Sequence, residues 1–286
     1  MHAFEAHWRR PSRRPPRLPI IVPRAGWATI APSGRTRFRR GEGRSAAMAE
    51  PSAGAAPIEA PSPNHGERRG GARPDMVVLH YTAMATAEAA LERLRDPSAE
   101  VSAHWLIAED GRLWRLVPEA RRAWHAGVAE WAGETDVNSR SIGIELANRG
   151  DTPFAAALMD RLEALLAAVL ERWAIPPERV VGHACAAPER KADPGPRFDW
   201  RRLARRGLAV WAEAPRVAGA AEAAPFQRAA RAFGCPCPAT GVWDAATRAT
   251  AAALRDRFRP WDRDPCSAAG LAQIEALAAR WPAARR

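Results

Sequence analysis

Four histidines, His80, His104, His125 and His183, lie between residues 74 and 200 with Glu145, Asp193 and Lys191. His80 and His183 each close a short apolar run, VVLH and RVVGH. The end of a strand is a rigid platform of the kind a metal ligand needs. Asp193 follows His183 in a loop braced by Pro188, Pro194 and Pro196, so it can fold back toward the imidazoles. Two imidazoles and one carboxylate suit Zn²⁺, and three protein ligands leave a fourth position for water, as in catalytic rather than structural zinc sites. Spacing alone leaves the commoner role of a strand-end histidine standing beside this one, a buried hydrogen-bonding residue.

Two further residues favour chemistry. The chain has 43 lysines and arginines, and Lys191 is the one lysine among them. Hydrolysing an amide at a metal site needs a base for the water and a cation for the developing oxyanion. Glu145 can supply the base and later protonate the leaving amine. Lys191 can supply the cation, because a compact ammonium and a planar guanidinium differ in reach and shape. The bland alternative is a lysine that survived by chance on an exposed loop. Tyr81, the only tyrosine, together with His104, His125, Asn148 and Arg190, forms the set expected to line the substrate groove. His104, inside the apolar VSAHWLI, also reads as a structural histidine, whereas His125 lies in a loop, RAWHAG. Cys185 is a further, weaker candidate ligand.

These residues need a scaffold. PDMVVLHYT reads as a buried strand, and EVSAHWLIAEDGRLWRLV as two strands around a turn at Glu109-Asp110-Gly111. In SIGIELAN, Ile142, Ile144 and Leu146 share one face, so Glu145 points to the other. Leu158, Leu162, Leu165, Leu166, Val169 and Trp173 predict a helix near 154–173. RVVGH is a short strand, after which prolines exclude regular structure. The first domain is therefore mixed α/β. After a connection at 212–225, three helical patterns follow: PFQRAARAF, DAATRATAAALRDRF with Asp244 as N-cap, and 267–281 with Leu271, Ile274, Leu277 and Trp281 on one side.

The blocks VVLHYTAM, VSAHWLIAEDGRLWRLVPEARRAWHAG, NSRSIGIELAN and VVGHACAAPERKADPGPRFDW resemble, in this order, the zinc-dependent N-acetylmuramoyl-L-alanine amidases, relatives of peptidoglycan recognition proteins. The resemblance implies a central mixed β-sheet flanked by helices, zinc held by His80, His183 and Asp193, Glu145 as catalytic acid/base and Lys191 at the oxyanion. The implied reaction cuts the amide between N-acetylmuramic acid and L-alanine in peptidoglycan or its muropeptides. One loop departs from the family pattern: Ala184, Cys185 and Ala186 stand where Ser-Asp-Ile is usual, and Glu189 where glycine is. The three-helix segment resembles a peptidoglycan-binding-like module, with a role in packing as the alternative. The expected organisation is a disordered tail at 1–59, in which Met48 is a second candidate start, an amidase domain at 60–211 and the helical module at 215–286.

Composition narrows the alternatives. Eleven arginines against Glu5 and Glu42 place +9 of the net +11 in residues 1–47. A basic arm with no recognisable reader fold behind it argues against nucleic-acid recognition. No apolar run reaches the 18 or more residues of a membrane span. The basic arm lacks the apolar core of a signal peptide, so a cytoplasmic monomer is expected, with the cell envelope as the alternative. Cys185, Cys235, Cys237 and Cys266 read as buried thiols, with a bridge from Cys266 to Cys235 or Cys237 as the other reading. The competing function is muropeptide recognition by the same fold without cleavage. Non-catalytic relatives typically lose a metal ligand, and this chain keeps all three.

Overall fold

The computed structural model describes residues 55–213 and 215–283. The expectations of a disordered tail and of a start at Met48 fall mostly on residues 1–54, outside the described part. The expected boundary at residue 59 is too late. β1 (Ile58–Glu59) already pairs in parallel with β5 (Leu113–Arg115). β2 (His65–Gly66) pairs with β6 (Arg122–Ala123), and Arg68 is buried. Two-residue strands carry no periodicity, so neither leaves a pattern in the sequence.

The main sheet has six strands in the order β1-β5-β4-β7-β3-β8, with β3 at Met76–Tyr81, β4 at Trp105–Ile107, β7 at Ser141–Leu146 and β8 at Val180–Gly182. Only the β4–β5 hairpin is antiparallel. β3 lies between β7 and β8, and its apolar run is buried on both faces, as parallel strands require. Val77 and Leu79 join Ile142, Ile144 and Leu146 beneath α1 (Ala87–Arg95) and α3 (Ala156–Trp173), while Met76 and Val78 face a second apolar cluster. α3 agrees with its predicted span and buries Leu158, Leu162, Leu166 and Val169, each contributing about 1.5–3 kcal/mol relative to exposure. α1 has no counterpart in the sequence reading. It buries only Ala87, Ala90 and Leu94, too few large side chains to mark a stripe.

Short helices follow at α2 (Val137–Arg140), α4 (His183–Ala186) and α5 (Trp200–Arg205). α4 is one turn in the stretch expected to lack regular structure. The three predicted C-terminal helices are α6 (Ala223–Phe233), α7 (Ala245–Phe258) and α8 (Ala268–Arg280). Asp244 caps α7, accepting the amide of Thr247 at 2.8 Å. These helices cover the second face of the sheet: Phe226, Phe233, Leu254, Phe258, Ile274 and Leu277 share one core with Met76, Val78, Val181 and Trp131. Arg257 of α7, 2% exposed, donates to the carbonyl of Val180 at 2.9 Å and lies 4.2 Å from the centre of the Trp200 ring. The composition change near 212–225 therefore marks a connection between elements that pack together.

Candidate metal centre

β3, β7 and β8 run in parallel and deliver their C-terminal ends to one edge of the sheet. The register sets His80 beside Glu145 on the neighbouring strand. His183 begins α4, immediately after β8. Asp193 is brought back to it by the bond from the Ala184 amide to its own carbonyl, 2.8 Å. Gly182 permits this return, since a Cβ there would lie 2.7 Å from Pro194 Cδ. His80 Nδ1 lies 3.0 Å from His183 Nδ1 and 2.9 Å from Asp193 Oδ2, and His183 Nδ1 lies 3.1 Å from the same oxygen. All three residues are buried, and among the described residues they form the one group of three or more donors that could hold a metal ion.

The donor chemistry fits a metal. His183 Nε2 is 2.9 Å from the carbonyl of Ala126, which can only accept, so the proton sits on Nε2 and Nδ1 is bare. A bare nitrogen, a second imidazole nitrogen and a carboxylate oxygen meeting at about 3 Å gather lone pairs that a cation stabilises. Two nitrogens and one oxygen with an open side suit Zn²⁺. The charges respond accordingly. Burial, then the nearby His183, lowers His80 to about 4. Burial pushes Asp193 up, but His183 and His80 outweigh it and hold the carboxyl well below the usual range.

Glu145 faces the same edge. Its Oε2 is buried with no hydrogen-bond partner. Burial, and then the charge of Asp193, raise its carboxyl to about 8, while Lys191 pulls it down. Lys191 is exposed, has no ion-pair partner among the described residues, and its charge is felt at both Glu145 and His80. A metal-donor triad, an unpartnered carboxyl and an ammonium thus share one strand edge.

Residues 70–196 match the family profile described as N-acetylmuramoyl-L-alanine amidase. The 1,6-anhydro-N-acetylmuramyl-L-alanine amidase AmpD of Enterobacter cloacae is 36% identical over 160 residues, which is 50% of this chain and 86% of that protein. The chain belongs to the N-acetylmuramoyl-L-alanine amidase family. It is also 42% identical over 158 residues to the amidase AmiD of Escherichia coli, covering 56% of that protein's length. The structure of AmiD from E. coli in complex with anhydro-N-acetylmuramic acid-L-Ala-D-gamma-Glu-L-Lys superposes with a TM-score of 0.66 at 32% identity, over 76% of this chain and 98% of that one. The mixed sheet flanked by helices, expected from the resemblance, is the fold observed.

The structure gives several of the expected substrate contacts other partners. His104 is wholly buried; it accepts the Gly143 amide at Nδ1 (2.9 Å), and its Nε2 meets the Arg121 carbonyl (3.1 Å). Burial and the neighbouring Arg68 lower it to about 3, so it stays neutral and structural. Asn148 is also buried. Its Oδ1 accepts the Gly150 amide at 2.7 Å and its Nδ2 reaches the Thr152 carbonyl, closing the loop after β7. His125 lies behind His80, its Nδ1 3.1 Å from His80 Nε2, where the sequence alone pictured a free loop residue. Arg190 is exposed but donates to the carbonyls of Ala126 (3.3 Å) and Val128, bracing the loop that holds His183. Tyr81 keeps a place at the edge, half-buried between Gly150 and Gly195. Cys185 turns into the apolar cluster on the second sheet face and takes no part in the donor group. All four cysteines are free, so the alternative of a bridge from Cys266 does not hold.

Two positioning residues escaped the sequence reading. Asn138 Oδ1 accepts the amides of His125 (3.1 Å) and Ala126 (2.9 Å), fixing the loop whose carbonyl meets His183. The scarcity of asparagine was the available signal, since all three, Asn64, Asn138 and Asn148, are buried. Gly143 is the other: a Cβ there would lie 2.4 Å from His125 Cγ. Gly143→Ala must therefore push the imidazole away from His80. A stability loss of about 1–3 kcal/mol is expected from such overpacking, checked by denaturant unfolding, together with weaker zinc binding in a chelator competition.

Proposed function

We propose that this chain hydrolyses the amide between N-acetylmuramic acid and L-alanine in muropeptides, with Zn²⁺ held by His80, His183 and Asp193. The convergence of two imidazole nitrogens and one carboxylate oxygen at about 3 Å carries the reading. The relatives support the substrate: AmpD is named for 1,6-anhydro-N-acetylmuramyl-L-alanine, and the AmiD complex contains an anhydro-muropeptide described as its substrate.

When bound, the ion supplies Lewis acidity and lowers the pKa of water in its coordination sphere. The chain's own residues do the rest. His80, His183 and Asp193 fix the donor geometry. Glu145 takes a proton from water in its ionised form, which Lys191 and a cation held by the donors favour against the rise that burial imposes. As the carbon–nitrogen bond breaks, the same group returns that proton to the leaving amine of L-alanine; the lactyl carboxylic acid so formed passes its own proton to the released amine, and the products are a carboxylate and an ammonium. The Lys191 ammonium, whose charge reaches both Glu145 and His80, supplies a cation for the oxygen that becomes negative in the tetrahedral state. Tyr81, half-buried beside Gly150 and Gly195 at the same sheet edge, is offered as a substrate contact.

The test is release of free stem peptide from a purified anhydro-muropeptide. Turnover abolished by a chelator and restored by zinc is the expected result. Muropeptide binding without turnover, in protein shown to contain zinc, would instead establish the recognition reading.

A further inference from the structure

Behind the donor group runs a chain of hydrogen bonds whose direction can be derived. Ser141 Oγ lies 2.6 Å from the carbonyl of Val137. A carbonyl only accepts, so the hydroxyl proton is committed there. Ser141 Oγ also lies 3.1 Å from His125 Nε2, and at that contact it can only accept. His125 therefore carries its proton on Nε2 and leaves Nδ1 bare. That bare Nδ1 is 3.1 Å from His80 Nε2, which must then be the donor. His80 in turn has a bare Nδ1, the atom that faces His183 and Asp193. The two rings stand edge to face, 5.1 Å between centres. The backbone bonds to Asn138 and the open face of Gly143 hold His125 in this place.

We infer that Ser141 and His125 are positioning residues that fix the tautomer of His80, so that its Nδ1 lone pair is presented to the metal. The Val137 carbonyl, at the start of α2, thus dictates, through two side chains, which nitrogen of a ligand is bare. His183 needs no such relay, because it meets the Ala126 carbonyl directly. Without the Ser141 hydroxyl, His125 is free to carry its proton on Nδ1. It would then donate to His80 Nε2 and drive the His80 proton onto Nδ1, into the position of the ion. Ligand-orienting partners of this kind are worth roughly 10–100-fold in metal affinity.

The inference rests on the zinc reading, and the experiment has an arm that does not. In the full-length metal-free protein with ¹⁵N-labelled histidine, long-range proton–nitrogen correlation reads each tautomer. His80 and His125 are both expected with the proton on Nε2; a proton on Nδ1 of His125 overturns the relay, whatever the protein's affinity for zinc. The second arm measures zinc affinity by competition with a chromophoric chelator. Ser141→Ala is expected to weaken binding by about 10–100-fold, and an unchanged affinity would refute the inference. His125→Phe keeps the ring and removes the acceptor. The two substitutions act in series, so the double variant should bind zinc no worse than His125→Phe alone. Fully additive losses would mean two independent effects and no relay. Where Ser141→Ala fails to fold, the tautomers of the wild-type protein decide the question.

Discussion

Asp193→Asn is expected to abolish zinc binding and, with it, turnover. The substitution keeps size and shape but removes the one anion of the donor group, leaving two imidazole nitrogens 3.0 Å apart with only a neutral amide beside them. The Asp193 carboxyl is held well below the usual carboxylate range, so it enters the donor group as an anion. Its loss should therefore exceed the roughly 10–100-fold effect of losing an outer partner. Zinc content after equilibrium dialysis, beside stem-peptide release, checks the result. The loop itself should persist, since the bond from the Ala184 amide uses the Asp193 main-chain carbonyl. A variant that retains stoichiometric zinc would remove Asp193 from the ligand set.

The second large effect belongs to Glu145. Glu145→Gln should lower kcat by about 10²–10⁴, the usual contribution of a positioned acid/base, while zinc stays bound. Its buried Oε2 is unpartnered, so no structural hydrogen bond is lost with it. Lys191→Ala should resemble it in kind, with a loss of about 10²–10³ in kcat if the ammonium serves the oxyanion. Lys191 is exposed and has no ion-pair partner among the described residues, so the fold should not notice its removal. Steady-state kinetics with zinc content measured on the same samples separates these outcomes. Loss of zinc from either variant would reassign that residue to holding the metal.

Much of this was legible from residue order. The strand ends at His80 and His183, the face of Glu145, helix α3 and the cap at Asp244 all follow from local pattern, because each depends on neighbours within a few positions. The expectations that changed depend on partners far along the chain. His125 became an outer partner only because the loop from 124 to 140 folds back onto β3 and β7. Asn148 and Asn138 look alike in sequence to residues that grip a ligand, yet each is consumed by backbone amides or carbonyls. The short strands β1 and β2 exist only through the partners they find in β5 and β6. Cys185 sits two residues from His183, but one helical turn directs it to the opposite side.

The sheet has another lesson in its second face. Met76, Val78 and Val181 are roofed by α6, α7 and α8, and the buried guanidinium of Arg257 clasps the very strand that launches His183. Domain shuffling can add or delete an appendage only where the parent's exterior is already water-compatible. In this chain the two layers depend on each other: with α6, α7 and α8 removed, Met76, Val78 and Val181 would present an apolar wall to water.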